Sequence, residues 1–502
     1  MQPEQQLQQL KILLAEIADL NYASALLDWD QQTYMPSAGA ENRGHQLATL
    51  QQIAHTRLVS DEIGRLLDDL KPTITQLDPD SFDARLVKVT RRNYEKEAKV
   101  SGEWVTEFAL ATTAAYKAWG KARAENDFAS FQSHLERILD LAHRYAGFFA
   151  PYAHVYDPLL DNHEPGMKTS DVKAIFDALR PQQVELIRKI ASRPQVENSF
   201  LHLTYNEQKQ WDLGVEIITK MGFDWKRSRQ DKTLHPFSTS FGWGDVRITT
   251  RLFPNYLSAA LFGTLHEAGH AMYSMGSDAS LDRTPLFDGA SSGVHESQSR
   301  MWENLIGRSY PFWQHFYPRV QEVFPTQLAN VPLDTFYKGI NKVQPSYIRV
   351  EADEATYNLH IMLRMELEIA LLENKLAVRD LPEAWNTRFQ EYLGITPPDN
   401  ARGVLQDVHW SGGLVGYFPS YALGNLIGAQ LWERINADIP DLSEQVRQGE
   451  FAPWLAWLRE KVYRHGAKFE PQELIQRVTG SKIDPAPYVR YLDQKYTDIY
   501  GI

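Results

Sequence analysis

The segment His266-Glu267-Ala268-Gly269-His270 constrains the fold of this chain most, because its spacing brings two histidines together only on an α-helix. On a helix, residues four apart lie above one another on the same face. The segment lies within a helical repeat of apolar residues formed by Leu257, Ala260, Leu261, Leu265, Ala268, Ala271 and Met272. Pro254 and Asn255 precede this repeat, and Gly276 follows it. The sequence therefore predicts one helix that places the two imidazoles side by side.

Two imidazoles in this arrangement can bind a single Zn²⁺ ion. Glu267 lies about 100° round the helix from His266, close to the ion but too far round to replace a ligand. A zinc ion would lower the pKa of a water molecule to about 7, and Glu267 would take the proton. The alternative is a buried helix with two structural histidines, but burying these polar groups together is costly without a metal. The segment therefore indicates a zinc hydrolase.

A catalytic zinc site needs a third protein ligand and one open position. Glu296 is the best candidate, because it begins a new helical pattern after the flexible segment 289–293. A return of the chain through that segment can bring Glu296 opposite the two histidines. Glu303 lies two turns further along the same predicted helix and is a rival, and His295 is a weaker rival that would give a three-histidine site. The spacing favours Glu296 without excluding the other two.

The composition excludes several classes of protein. The 502 residues include no cysteine, which excludes disulfides, thiolate zinc sites and cysteine nucleophiles, and which fits a reducing compartment. A net charge of -12 argues against a nucleic-acid surface. No apolar run reaches the ~20 residues that span a bilayer, and the polar N-terminus does not resemble a signal peptide. We therefore expect a cytoplasmic protein that binds neither nucleic acid nor membrane.

Most of the chain has a helical pattern. Helices are predicted for residues 4–20, 82–125, 130–148, 171–191, 206–221, 295–309, 351–373 and 420–437. The clearest strand candidate is 246–252, which is β-branched and alternating. Its edge could pair with an extended peptide, or it could belong to a small structural hairpin. Because there is no linker, we expect a single catalytic domain over residues 1–502.

Several short motifs carry a resemblance that covers most of the chain. In order they are His235-Pro236-Phe237, Asp245-x-Arg247-x-Thr249, His266-Glu267-x-x-His270, His295-Glu296-Ser297-Gln298-Ser299-Arg300, Ile348-Arg349-x-x-Ala352-Asp353 and Gly403-x-x-Gln406-Asp407-x-His409-Trp410. With these motifs the chain resembles the carboxypeptidase Taq family of zinc metallocarboxypeptidases. Each motif alone is weak, but six in the family's order leave little room for coincidence.

The resemblance carries expectations for the metal site and the fold. It implies zinc at His266, His270 and Glu296, one ion per chain, and so prefers Glu296 to Glu303. It implies a mainly α-helical body with a deep central groove and a small antiparallel sheet near the metal site, like neurolysin and angiotensin-converting enzyme. It also implies a homodimer. Co²⁺ can occupy a site of two histidines and one carboxylate and still support activity.

A tetrahedral intermediate needs hydrogen-bond donors for its oxyanion in addition to the metal. The segment from His409 to Tyr421 is similar to the histidine and tyrosine that neurolysin-type oligopeptidases place over their zinc. It suggests Tyr421 as the oxyanion donor and His409 as a contact to substrate or intermediate. The alternative is a packed aromatic ring and a capped histidine. His235 is a further donor candidate with a weaker case.

A carboxypeptidase must recognise a free α-carboxylate, and the planar fork of arginine suits this group best. Arg349 is the first candidate and Arg247 the second. Either could instead be a structural ion-pair partner. The carboxylates that could pair with them are Glu351, Asp353 and Asp245.

The sequence thus predicts a zinc carboxypeptidase that releases single amino acids, with broad specificity, from peptides with a free C-terminal carboxylate. An oligopeptidase or dipeptidyl carboxypeptidase with the same zinc chemistry is the nearest rival, because the motif helix does not reveal how the groove is closed. A non-catalytic helical scaffold is disfavoured, because all three ligands and Glu267 are present.

Overall fold

The computed structural model describes residues 2–502, and most of them lie in α-helices. The helices before the sheet are α1 (Pro3–Thr33), α2 (Ala40–Leu58), α3 (Asp61–Ile74), α4 (Phe82–Lys99), α5 (Gly102–Glu125), α6 (Phe128–Gly147), α7 (Asp157–Leu160), α8 (Thr169–Ala191) and α9 (Glu207–Lys220). The strands are β1 (Ser228–Lys232), β2 (Ser238–Ser240) and β3 (Val246–Thr250).

The helices after the sheet are α10 (Leu257–Gly276), α11 (Ser292–Arg300), α12 (Tyr310–Val323), α13 (Pro325–Leu328), α14 (Leu333–Ile340), α15 (Glu354–Leu372), α16 (Leu381–Leu393), α17 (Pro419–Asp438), α18 (Leu442–Arg447), α19 (Ala452–Lys461), α20 (Pro471–Thr479) and α21 (Ala486–Tyr500). The prediction of a mainly α-helical fold is confirmed. No helix within residues 2–502 is long and apolar enough to cross a membrane.

The sheet differs from the expected antiparallel one. Strand β3 lies in the centre, antiparallel to β2 and parallel to β1, so the sheet is mixed. The predicted strand therefore has no free edge, and an incoming peptide could pair only with an outer strand such as β2. Strands β1 and β2 were not predicted, because their sequences do not alternate between apolar and polar residues. Strand β1 is Ser-Arg-Gln-Asp-Lys and strand β2 is Ser-Thr-Ser.

Two predicted helices are interrupted in the structure. The helix expected over 82–125 breaks at Ser101, whose side chain accepts a hydrogen bond from the Trp104 N–H at 3.2 Å and so begins α5. The helix expected over 295–309 begins as α11 and continues as a π-helix over Met301–Ile306. Short π-helical segments occur often at functional sites, because they turn side chains away from their α-helical directions.

The apolar interior consists of a large core and a smaller N-terminal cluster. Residues of α1 to α4 form the smaller cluster together with Leu281 and Leu286 from the segment between α10 and α11. Arg85 of α4 joins the cluster to the main body, since its guanidinium lies 2.7 Å from a Glu473 carboxylate oxygen. This attachment lets α4 form one wall of a cavity whose other wall carries the motif helix.

Helix α10, which carries the motif, is the most enclosed element near this cavity. Its apolar residues are buried on all sides, against α9, α11 and β3. It begins at Leu257 and ends at Gly276, as the sequence predicted. A helix buried on all sides holds its side chains in fixed positions, which suits a metal site.

Candidate metal centre

Three side chains meet where α10 and α11 pack together. Glu296 Oε2 lies 3.7 Å from His266 Nε2 and 3.4 Å from His270 Nε2. One ligand atom from each of the three residues lies within 4.8 Å of the others. Ligands at the 2.0–2.1 Å distances of a tetrahedral zinc site are separated by about 3.3 Å. The donor set and its spacing therefore fit one Zn²⁺ ion.

The approach of α11 to α10 depends on a glycine within the motif. A Cβ atom at Gly269 would lie 2.7 Å from the carbonyl oxygen of Gln298 and from Ser299 Cα. Any larger residue would therefore push α11, and Glu296 with it, away from the histidines. At the start of α11, Ser291 Oγ accepts from the Val294 N–H, and Glu164 Oε1 accepts from the Gly293 N–H at 2.6 Å.

Glu303 lies behind the first histidine. Its Oε2 atom is 2.9 Å from His266 Nδ1, the ring nitrogen that points away from Glu296. Burial by itself would raise the pKa of Glu303, but Arg300 and His266 outweigh it and lower that pKa to about 2. An ionised carboxylate on Nδ1 leaves the other nitrogen free to bind a metal. Glu303 thus occupies a supporting position, and Glu296 is the carboxylate in the ligand cluster.

His295, the other rival ligand, lies behind the second histidine. Its Nδ1 atom is 2.6 Å from His270 Nδ1, and its Nε2 atom is 3.0 Å from Asp288 Oδ1. His295 and Asp288 thus form a chain of contacts that leads from His270 away from the ligand cluster. The sequence analysis did not recognise these two residues as a pair. The only sequence signal is Asp288 before Gly289, a combination typical of a turn.

The electrostatics of the centre favour a cation. Glu267 is 6 % exposed, and burial raises its pKa to about 7; the negative charges of Glu296 and Glu303 add to this effect, and His266 offsets only part of it. Burial would also raise the pKa of Glu296, but Arg300, His266 and His270 hold it well below its usual range. Burial lowers the pKa of His270 to about 4, so its ring is neutral, as a metal ligand must be. A dication would stabilise both carboxylates in their ionised forms.

The centre opens into a cavity of about 720 Å³, which is within the usual size range of ligand sites. Glu267 lines this cavity with the three ligand-cluster residues. The remaining wall includes α4, the start of β2, the segment between α10 and α11, and the start of α17. Residues of these elements that face the cavity include Lys88, Arg92, Phe237, Ser238, Asp288, Tyr417 and Tyr421.

Tyr421 lines the same cavity as the three ligand-cluster residues, and His409 lies beside it. The two side chains meet with His409 Nε2 3.1 Å from the Tyr421 hydroxyl. His409 is 8 % exposed, and burial together with Arg349 lowers its pKa to about 3, so the ring is neutral. Its Nδ1 atom has no hydrogen-bond partner within residues 2–502 and lies 3.9 Å from Asp407.

Arg349 is buried and is held by residues of the last motif. Its Nε donates to Asp407 Oδ1 at 2.9 Å, and its Nη1 donates to the Tyr357 hydroxyl at 3.0 Å. Its backbone N–H donates to Gln406 Oε1. The guanidinium lies 4.9 Å from the centre of the Tyr421 ring. Within residues 2–502 its Nη2 makes no hydrogen bond, so one donor of the fork stays available next to Tyr421.

Arg349 pairs with Asp407, not with Glu351 or Asp353, which the sequence had offered as its structural partners. Asp353 instead caps α15, since its Oδ1 accepts from the backbone N–H groups of Ala355 and Thr356. Asp407 also accepts from Arg364, at 2.7 Å from Nε. No sequence pattern singles out Asp407, although it stands in a motif two residues before His409.

Arg247 and His235 lie further from the centre. Arg247 of β3 pairs with Asp245 through two hydrogen bonds of 2.9 and 2.8 Å, and it packs on the ring of Trp29 in α1. These contacts fix the sheet to the N-terminal cluster. His235 is exposed in the segment between β1 and β2, while its neighbours Pro236 and Phe237 line the cavity.

A family model described as Carboxypeptidase Taq (M32) metallopeptidase matches residues 9–496. The chain belongs to the M32 family of metallopeptidases. It is 41% identical to thermostable carboxypeptidase 1 of Thermus thermophilus, and the match covers 100% of both chains. It is 39% identical to carboxypeptidase 1 of Bacillus subtilis over 97% of each chain. This M32 protein is therefore a metal-dependent carboxypeptidase, and peptides are its substrates.

Solved structures agree with this membership. The M32 carboxypeptidase from Deinococcus radiodurans R1 superposes with a TM-score of 0.96 at 41% identity, covering 99% of this chain and 100% of that one. Agreement over the whole chain shows that the small N-terminal cluster and the mixed sheet belong to the same fold as the metal centre.

Proposed function

We propose that this M32 protein is a zinc-dependent carboxypeptidase that removes single amino acids, with broad specificity, from the C-terminus of peptides. The observation that carries the proposal is the cluster of His266, His270 and Glu296 beside Glu267 in one cavity. Two imidazoles and a carboxylate suit Zn²⁺, and Co²⁺ is the natural substitute in an assay. When bound, the ion lowers the pKa of a water molecule and polarises the peptide carbonyl.

Glu267 is the proposed general base and acid. It lies on the motif helix between the two histidines and faces the cavity, where it can take the proton of the attacking water and pass it to the leaving amine. Its carboxylate makes no hydrogen bond within residues 2–502, which leaves it available to a water molecule in the cavity.

Tyr421 is the proposed oxyanion donor, with His409 positioning it. If the neutral His409 ring carries its hydrogen on Nε2, it donates to the Tyr421 oxygen and leaves the phenol hydrogen for the substrate. Burial raises the pKa of Tyr421 well above its ordinary value, so the phenol keeps the hydrogen that this role needs. Direct contact of His409 or His235 with the substrate stays a prediction from the sequence.

Arg349 is the proposed partner of the substrate carboxylate. Its free Nη2 and its place beside Tyr421 support this role, whereas Arg247 lies in β3, away from Tyr421, with its Nε and Nη2 both on Asp245. Asp407 neutralises part of the Arg349 charge, but Arg364 shares the same carboxylate, so the group keeps a net positive charge. A positive group buried near the scissile bond explains why the cut would fall at a chain end.

One experiment separates this proposal from a dipeptidyl carboxypeptidase. The protein is incubated with a free-acid peptide and with its C-terminal amide, with and without a chelator, and the products are read by mass. We expect single amino acids from the free acid, slow cleavage of the amide, and no product with the chelator. Dipeptide products, or equal rates for the acid and the amide, would contradict the proposal.

We also propose a homodimer and a single catalytic domain over the whole chain. Sedimentation at several protein concentrations tests the first, and the cooperativity of thermal unfolding tests the second. A monomer at all concentrations, or two separate unfolding transitions, would contradict these proposals. The cytoplasmic location predicted from the sequence stays a prediction.

A further inference from the structure

The two histidines of the metal centre are supported in different ways. His266 Nδ1 meets the carboxylate of Glu303 directly, at 2.9 Å. His270 Nδ1 meets another imidazole, that of His295, at 2.6 Å, and the carboxylate of Asp288 lies one ring further out. We propose that Asp288 and His295 act as a two-residue relay that orients His270 and holds its Nε2 lone pair toward the metal. The inference rests on the proposed metal centre.

The direction of each hydrogen bond in this relay follows from the acceptor at its outer end. A carboxylate can only accept, so His295 Nε2 must carry a hydrogen where it meets Asp288 Oδ1 at 3.0 Å. A neutral imidazole has one N–H, so His295 Nδ1 is then an acceptor. His270 Nδ1 must therefore donate to it, which leaves His270 Nε2 with a free lone pair on the side of Glu296.

Helix α10, which carries His270, also contacts Asp288 at the far end of the relay. Ser274 is four residues after His270 and lies on the same face of α10. Its hydroxyl donates to Asp288 Oδ1 at 2.7 Å. Tyr273 packs against His295, with ring centres 5.0 Å apart, and its hydroxyl accepts from the Ala290 N–H. One turn of α10 thus fixes both relay residues relative to the ligand.

The backbone of the relay loop adopts a strained conformation. Asp288 has a φ of 76°, in the left-handed region that few residues other than glycine adopt. At the next position, a Cβ atom on Gly289 would lie 2.8 Å from His295 Cδ2. The loop therefore wraps closely round the His295 ring. Strain of this kind persists where the surrounding structure enforces it, and it is found most often at functional sites.

The relay predicts an effect on metal affinity that a purely structural role would not produce. Loss of a residue that supports a metal ligand typically weakens metal binding by about 10- to 100-fold. We expect this loss for D288A, which removes the acceptor at the outer end of the relay. Without that acceptor nothing holds the hydrogen of His295 on Nε2, so His295 Nδ1 is no longer fixed as the acceptor for His270. H295L should show a similar loss.

The conservative variant H295N distinguishes orientation from packing. Asparagine places its carbonyl oxygen near the position of the lost Nδ1 atom, so it can still accept from His270. We expect H295N to recover most of the affinity that H295L loses. D278N is the matched control, because Asp278 stands in the same segment, is exposed, and bonds only to Ser280. D278N should bind metal as tightly as the unchanged protein.

The test uses the full chain stripped of metal, with Co²⁺ added under competition from a chelator, and records both the dissociation constant and the visible absorption of the bound ion. Thermal unfolding without metal shows whether each variant is folded. Unchanged affinity and spectrum in D288A and H295L would overturn the relay. If one of the two variants does not fold, the other decides. Failure of the unchanged protein to bind Co²⁺ would instead contradict the metal centre itself.

Discussion

The two walls of the cavity at the candidate metal centre differ in charge. The metal wall, on α10 and α11, gathers Glu267, Glu296 and Glu303 around His266 and His270. The facing wall places Tyr421 in front of Arg349, whose partner Asp407 is shared with a second arginine. One wall is built to receive a cation and the other to receive an anion. A peptide carbonyl held between them would have its electrons drawn toward the metal and its developing charge stabilised from the other side.

The two walls also differ in how far apart in the sequence their residues lie. The metal wall uses residues of one helix and the next, and its key pair is separated by one helical turn. The facing wall joins Arg349 to the 406–409 segment and α17, and Arg349 is 57 residues from Gln406 in the sequence. A site made from distant segments depends on the whole fold, whereas the histidine pair needs only its helix. Substitutions on each wall test whether the metal wall and the facing wall have separate roles in the reaction.

The largest effect is expected on the metal wall, for E267Q. This change keeps the shape of the side chain but removes the proton acceptor, so kcat should fall toward the upper end of about 10²- to 10⁴-fold. Metal content by elemental analysis should not change, because Glu267 is not in the ligand cluster. Turnover near that of the unchanged enzyme, with full metal occupancy, would remove Glu267 from the mechanism.

On the facing wall, Y421F should lower kcat by about 10²-fold, since one donor to the oxyanion is lost. KM and metal content should stay nearly constant, because the ring and its packing against Arg349 remain. Steady-state kinetics with one free-acid peptide measures kcat and KM separately. If KM rises and kcat is unchanged, Tyr421 binds substrate and the oxyanion donor lies elsewhere.

A smaller effect is expected for R349K, which keeps the positive charge but loses the planar fork. KM for free-acid peptides should rise about tenfold or more, as for the loss of a hydrogen bond between charged groups. Cleavage of amidated peptides should not change. R247K is the matched comparison, because Arg247 is also paired with an aspartate but lies in the sheet. A larger effect in R247K would transfer the carboxylate site to that residue.

The smallest effect concerns Glu368, beneath the facing wall, where its carboxylate accepts from Trp410 Nε1 at 2.8 Å and from the Tyr156 hydroxyl at 2.6 Å. Burial raises its pKa from 4.5 to about 7. The folded protein therefore binds a proton that the unfolded chain releases, and stability from this group is complete below pH 4.5 and is lost as pH rises to 7. The loss is up to about 3 kcal/mol.

E368Q should remove this part of the pH dependence. Urea unfolding at several pH values between 4.5 and 7 measures the slope of the free energy of unfolding. The control is E383Q, because Glu383 is exposed on α16. An E368Q slope equal to that of the control would mean that Glu368 keeps one protonation state throughout the range.

Prediction from sequence succeeded where the determining contacts are local. The motif helix begins and ends where its apolar repeat does, because that repeat is itself the buried face. The break at Ser101 was missed, since a capping serine interrupts a helix without disturbing the apolar pattern on either side. Strands β1 and β2 were missed for a related reason: they are held by pairing with β3 and not by their own composition.

By itself the sequence determined that His266 and His270 share a helix face and that Glu267 lies between them, because a helix of fixed pitch leaves no other arrangement. The resemblance in six motifs added the family. That resemblance also implied Glu296 as the third ligand, which the spacing alone left open against Glu303 and His295. Only the tertiary structure placed Glu303 and His295 behind the two histidines. All three stand on one continuous helical segment, so their roles depend on the angle at which α11 packs on α10. That angle is set by Gly269 and by contacts with distant parts of the chain.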